Sequence, residues 1–70
     1  MQKLRLIDLL LLVADQKLED GQMVLIANDC YKFDKKQEKF YVSTDPSEYR
    51  VIYTYDLNLD CYILRDYVGE

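Results

Sequence analysis

The sequence predicts an α+β fold: one N-terminal amphipathic helix packed on a small antiparallel sheet of four to five strands. Three observations lead there. Residues 3–18 carry apolar side chains at helical spacing, with no Pro or Gly between them. From Met23 onward the apolar residues fall into short runs rich in Val, Ile, Tyr and Phe, parted by charged or turn-forming residues. The links between those runs are too short for parallel crossovers, so neighbouring strands run antiparallel.

The helix is apolar around most of its circumference. At about 100° per residue, Leu4, Leu6, Ile7, Leu9, Leu10, Leu11, Val13 and Ala14 fill an arc of roughly 220°. A helix lying on one sheet needs an apolar stripe of only about 100°. The surplus predicts a second surface, most simply that of a homo-oligomer, with Leu6, Leu9, Leu12 and Val13 at the interface. Asp20-Gly21 ends the helix and turns the chain. Met23–Ala27 reads as a buried strand, Asn28-Asp29 as a two-residue turn and Cys30–Phe33 as the returning strand. The charged stretch from Asp34 to Lys39 is a solvated loop, and Phe40–Val42 is a third strand. Ser43–Glu48, with the only proline at Pro46, reads as a loop or helical turn. Tyr49–Tyr55 is a fourth strand, Asp56–Asp60 a turn and Cys61–Val68 the last strand.

The chain has 70 residues, 50% hydrophobic and 31% charged. That is a globular balance sufficient for a single domain spanning residues 1–70, at a length where partner chains often complete the core. The net charge is −4, and its last third, with Asp45, Glu48, Asp56, Asp60, Asp66 and Glu70 against Arg50 and Arg65, is the acidic part. Direct nucleic-acid binding, which needs a basic footprint, is not expected. Met1–Ala14 does not read as a signal peptide, because Asp8 breaks the apolar run and no small-residue cleavage site follows. The expectation is a cytoplasmic protein, with Cys30 and Cys61 reduced and acting as small hydrophobes. No stretch is long enough to span a bilayer.

Catalysis is not expected. The sequence contains no histidine, which removes the usual neutral-pH general base, and it holds no Gly-rich phosphate loop. Asp56-Leu57-Asn58-Leu59-Asp60 has the opening rhythm of an EF-hand loop. Cys61 then stands where glycine must turn the chain, and Tyr67 where a bidentate glutamate must close the site. The string reads better as a turn, and neither a metal nor a cofactor is expected. The seven tyrosines are more informative. Tyr49, Val51, Tyr53 and Tyr55 share one face by the period-two rule. Cross-strand packing accounts for that face, and so does recognition, since tyrosine joins a flat ring to one hydroxyl at low entropy cost. With Arg50 and Arg65 flanking them, Tyr49, Tyr53 and Tyr55 describe either a nucleotide-type pocket at a subunit junction or a protein–protein hot spot.

Three segments carry a resemblance: Leu6-Ile7-Asp8-Leu9-Leu10 with Val13-Ala14; Tyr31-Lys32-Phe33-Asp34 followed by Phe40-Tyr41; and Leu57-Asn58-Leu59-Asp60. Together they resemble the small accessory proteins carried by phages and prophages of Gram-positive bacteria. The likeness is one of layout, a leucine-rich helix, an antiparallel sheet and an acidic end. The chain departs from the pattern at Asp15-Gln16-Lys17 and Cys61-Tyr62, and no site residues carry over. The resemblance implies a non-catalytic anti-defence protein that acts by stoichiometric binding. Two targets are compatible with that role: a small nucleotide-like immune signal held between subunits, slightly favoured, or a host defence protein contacted directly through an acidic surface, as anti-CRISPR proteins do. A virion or scaffold subunit is a third, blander possibility.

Overall fold

The computed structural model describes the backbone of residues 2–68 and the side chains of residues 2–64. β1 (Gln2–Arg5) leads into α1 (Leu6–Ala14), followed by β2 (Gln22–Ile26), β3 (Asp29–Asp34), β4 (Lys39–Val42) and β5 (Asp45–Tyr49). A 3-10 turn, Thr54–Asp56, precedes β6 (Asp60–Val68). The strands form one sheet in the order β1-β6-β2-β3-β4-β5, with every neighbouring pair antiparallel. The α+β class holds, and the sheet has six strands rather than four to five.

The extra strand is made of Gln2 and the three residues Lys3–Arg5 that sequence alone assigns to the helix. Gln2–Arg5 pair with β6, with Leu4 opposite Cys61 and Arg5 opposite Asp60. Four residues of helical propensity cannot outweigh a ladder that a long neighbouring strand offers on its open side. The helix then begins abruptly. The Leu6 and Ile7 amides donate to the carbonyls of Leu59 and Leu57 at 2.9 and 3.0 Å, and the Arg5 amide donates to Asp8 Oδ2 at 3.2 Å. The far end is as sharp. Gln16 takes φ +57°, the Lys17 amide donates to the Leu12 carbonyl and the Gln16 amide to that of Val13. That paired return is a Schellman close, with glutamine where glycine is usual. Helix 3–18 is therefore corrected to 6–14, and Asp20-Gly21 belongs to the connection rather than to the helix end.

The shorter helix hides most of its apolar surface within the chain. Leu6 and Leu9 are fully buried, and Ile7, Leu10, Leu12 and Val13 are half-buried. Leu11, on the opposite side of the wheel, is 57% exposed. Leu6 and Leu9 join Leu18, Val24, Ile26, Tyr31, Phe33, Phe40, Cys61 and Ile63 in one core. A side chain with no accessible surface cannot meet a second subunit, so the expected interface set is corrected: Leu6 and Leu9 are core residues. Only Leu12 and Val13 of that set keep any exposure, beside Leu11.

The β2–β3 hairpin turns at Ala27-Asn28, one residue earlier than expected, with φ +50° and +72°. Positive φ at both central residues matches the twist of the flanking strands. One residue of register decides which face each side chain meets. Tyr31 and Phe33 go to the core, and Cys30 goes to the outer face opposite Leu25. Cys61, opposite Ile26, lies on the inner face one strand further on. The two thiols are separated by β2 and face opposite ways, and both are free. Where β2 and β6 fall out of register, the buried Gln22 side chain donates to the carbonyls of Met23 and Leu64 at 3.0 and 3.1 Å.

Candidate binding surface

The strand expected at Tyr49–Tyr55 is displaced. Asp45–Glu48, expected as a loop, forms most of β5. A register shift against β4 carries Tyr49 opposite Tyr41. Asp45 stabilises the bulge by accepting from the Ser47 hydroxyl at 2.6 Å and the Ser47 amide at 3.1 Å, bonds that lower its pKa. Beyond Tyr49 the Arg50 amide donates once more to β4, to the Phe40 carbonyl at 2.9 Å. The chain then leaves the sheet. Asp56 Oδ2 accepts from the Tyr53 amide at 3.0 Å and closes the 3-10 turn. A capping carboxylate three residues ahead stops an alternating segment from continuing as a strand.

The alternation itself survives without the ladder as far as Tyr53, after which Thr54 and Tyr55 are both exposed. Tyr49, Val51, Tyr53 and Tyr55 point outward, 46%, 54%, 52% and 79% exposed. Arg50 and Ile52 turn inward, and Ile52 packs against the core. The Tyr53 and Tyr55 rings stack with centroids 5.3 Å apart and planes 3° from parallel. Tyr49 meets Tyr41 edge-on at 5.8 Å, and Lys39 Nζ lies 4.1 Å above the Tyr49 ring. Of the remaining tyrosines, Tyr31 is buried and Tyr62 is half-buried. Tyr67 and Arg65 lie where side chains are outside the described set.

Arg50 is an anchor, not an open clamp. Its Nη1 donates to the Tyr31 hydroxyl at 2.9 Å, and its Nη2 lies 4.0 Å from Asp56 Oδ1. Its Nε is buried without a partner among the described residues. Burial opposes the charge, yet the Tyr31 hydroxyl and the Asp56 and Asp29 carboxylates outweigh it and raise the pKa, so the group remains a cation. Tyr31, Arg50, Asp56 and the Tyr53 amide thus form one chain of contacts tying the tyrosine segment to β3. Both Asp56 oxygens are engaged, which removes the first residue of the EF-hand-like string from any ligand set.

Two cavities stand out, and neither is lined by Tyr49, Tyr53 or Tyr55. One, about 450 Å³, lies between the Asp20-Gly21 turn and the outer side of β3 and β4. The other, about 260 Å³, lies under the β3–β4 loop beside Val13 and Leu18. Sequence reasoning missed both, because they form where distant connections meet. Compared with protein-family models, with curated proteins and with solved structures, the chain gives no match. No helix among the described residues is long and apolar enough to cross a membrane.

Proposed function

We propose that this chain is a non-catalytic binding protein of the phage anti-defence type, inhibiting a host protein by direct stoichiometric contact through Tyr49, Val51, Tyr53 and Tyr55. The observation that carries this reading is the density of large exposed apolar side chains on one seven-residue segment, held by the Arg50 anchor. Rigid aromatic side chains that need not be ordered on binding are what interface hot spots are made of. Asp45 and Glu48, which share β5 with Tyr49, suit a basic partner surface, such as the nucleic-acid groove of a host defence protein. Nucleotide capture is the weaker reading, because Arg50 is already engaged inside the fold and the tyrosines form an open surface rather than an enclosed pocket.

The test compares the wild type with a Tyr53→Ala/Tyr55→Ala double variant in lysate from defence-active cells. The wild type is expected to retain one host protein in fixed ratio, and the variant to lose it while melting at the same temperature. Retention by both would overturn the assignment. An intact nucleotide released by heat would restore the rival reading, and a cleaved one would reveal an enzyme.

A further inference from the structure

We infer that the 450 Å³ groove beside β3 is a subsite for a guanidinium group, supplied by an arginine side chain of the protein partner. The inference rests on the function proposed above and names the chemistry of part of the contact.

The groove is lined by Asp20, Gly21, Lys32, Phe33, Asp34, Gln37, Tyr41 and Pro46. Its two carboxylates are oriented by the fold. Asp20 Oδ1 accepts from the Lys35 amide at 2.9 Å, and Asp34 Oδ1 accepts from the Gln37 amide at 3.0 Å. Among the described residues neither Oδ2 has a hydrogen-bond or ion-pair partner. Tyr41 is fixed at both ends, its hydroxyl donating to Gln37 Oε1 at 2.9 Å and its ring against Tyr49. Lys32 is the one cation in the lining, and its Cε lies 3.8 Å from where a Cβ on Gly21 would stand, so its stem runs along that glycine. Two carboxylates against one ammonium make the lining itself net negative, while Lys39, opposite Asp34 in the ladder, directs its ammonium over the Tyr49 ring.

Two oriented carboxylates beside a clamped aromatic ring match a planar cation that forms forked hydrogen bonds and stacks on a ring. Guanidinium does both, and ammonium does neither as well. The groove is also continuous with the tyrosine surface. Lys32, Tyr41 and Tyr49 are successive partners across β3, β4 and β5, so a partner seated on Tyr49 has the groove within reach of one side chain.

The experiment titrates uniformly 15N-labelled protein with N-acetylargininamide and, in parallel, with N-acetylcitrullinamide, its neutral isostere. The Lys35 and Gln37 amides report directly on Asp20 and Asp34, and the Gly21 amide on the groove wall. Saturable shifts at these three amides are expected with the arginine probe and not with citrulline. Asp20→Asn and Asp34→Asn keep the acceptor for each backbone amide and remove the charge. Each is expected to weaken binding roughly two- to five-fold, the range for a solvent-accessible ion pair. Equal shifts with citrulline, no saturable shift, or unchanged affinity in both variants would overturn the subsite. The Tyr53→Ala/Tyr55→Ala variant should titrate like wild type. A groove that binds while that variant still holds its host partner sinks the proposed function alone, and a silent groove with partner lost on that substitution sinks the subsite alone.

Discussion

Gln16 holds a left-handed backbone conformation, φ +57°, that ends the helix and that an L side chain resists. Gln16→Gly removes the Cβ clash and is expected to stabilise the protein by about 1 kcal/mol, read as a higher midpoint in urea. Nothing in Asp15-Gln16-Lys17 advertises this stop, because the usual signal is glycine. Arg50 works the opposite way. Replacing it with leucine leaves the Tyr31 hydroxyl and the Asp56 carboxylate without their shared partner, and a loss of about 2–4 kcal/mol is expected in the same assay. Its alternation with the tyrosines was visible in the sequence, but its inward direction was not, since a period-two pattern gives two faces without saying which one meets the core. Cys61 is fully buried, and that burial pushes its thiol up to about 11. The folded state therefore holds the proton more tightly than the unfolded chain does. Its contribution to stability is full below pH 9 and is lost as pH rises towards 11. Iodoacetamide at pH 8 should modify Cys30 and spare Cys61 until the chain is unfolded.

At the level of elements, β2, β3, β4 and β6 were legible because apolar runs bounded by turn residues specify strands locally. β1 and β5 were not. Gln2–Arg5 is extended only because β6 presents an open edge to it, a long-range cause with no local signature. Asp45–Tyr49 contains proline, which edge strands tolerate and central strands do not. The tyrosine segment was legible in composition and face but not as a stretch that leaves the sheet after Tyr49, because the Asp56 cap that lifts it acts through one backbone amide. For α1, the depth of each leucine predicts the effect of its loss. Leu9→Ala should cost about 2–5 kcal/mol, whereas Leu11→Lys should change the stability of the monomer by no more than about 0.5 kcal/mol, both read from chemical denaturation at a concentration where the chain is monomeric.

At the scale of the whole molecule, the apolar excess that argued for oligomers contracts to exposed Leu11 and half-buried Ile7, one turn apart on the same face. Self-association through that patch remains a proposal, and light scattering decides it: a mass above 8.4 kDa at micromolar concentration, returned to that value by Leu11→Lys, is the expected signature. The charge of −4 bears on the other proposed contact. A complex steered by acidic groups should weaken several-fold between low salt and 0.1 M, where screening sets in over about 10 Å.

The sheet order β1-β6-β2 has a consequence for biosynthesis. β6, made after the other five strands, is inserted between two made early, so one hydrogen-bonding edge of β2 stays bare until residues 60–68 have cleared the ribosome. A nascent chain therefore emerges with its middle seam open, and closure by such distant partners is slow and exposed to misassembly. Stalling translation shortly before Asp60 should leave a chain that proteases and chaperones treat as unfolded, however much of the meander is already out.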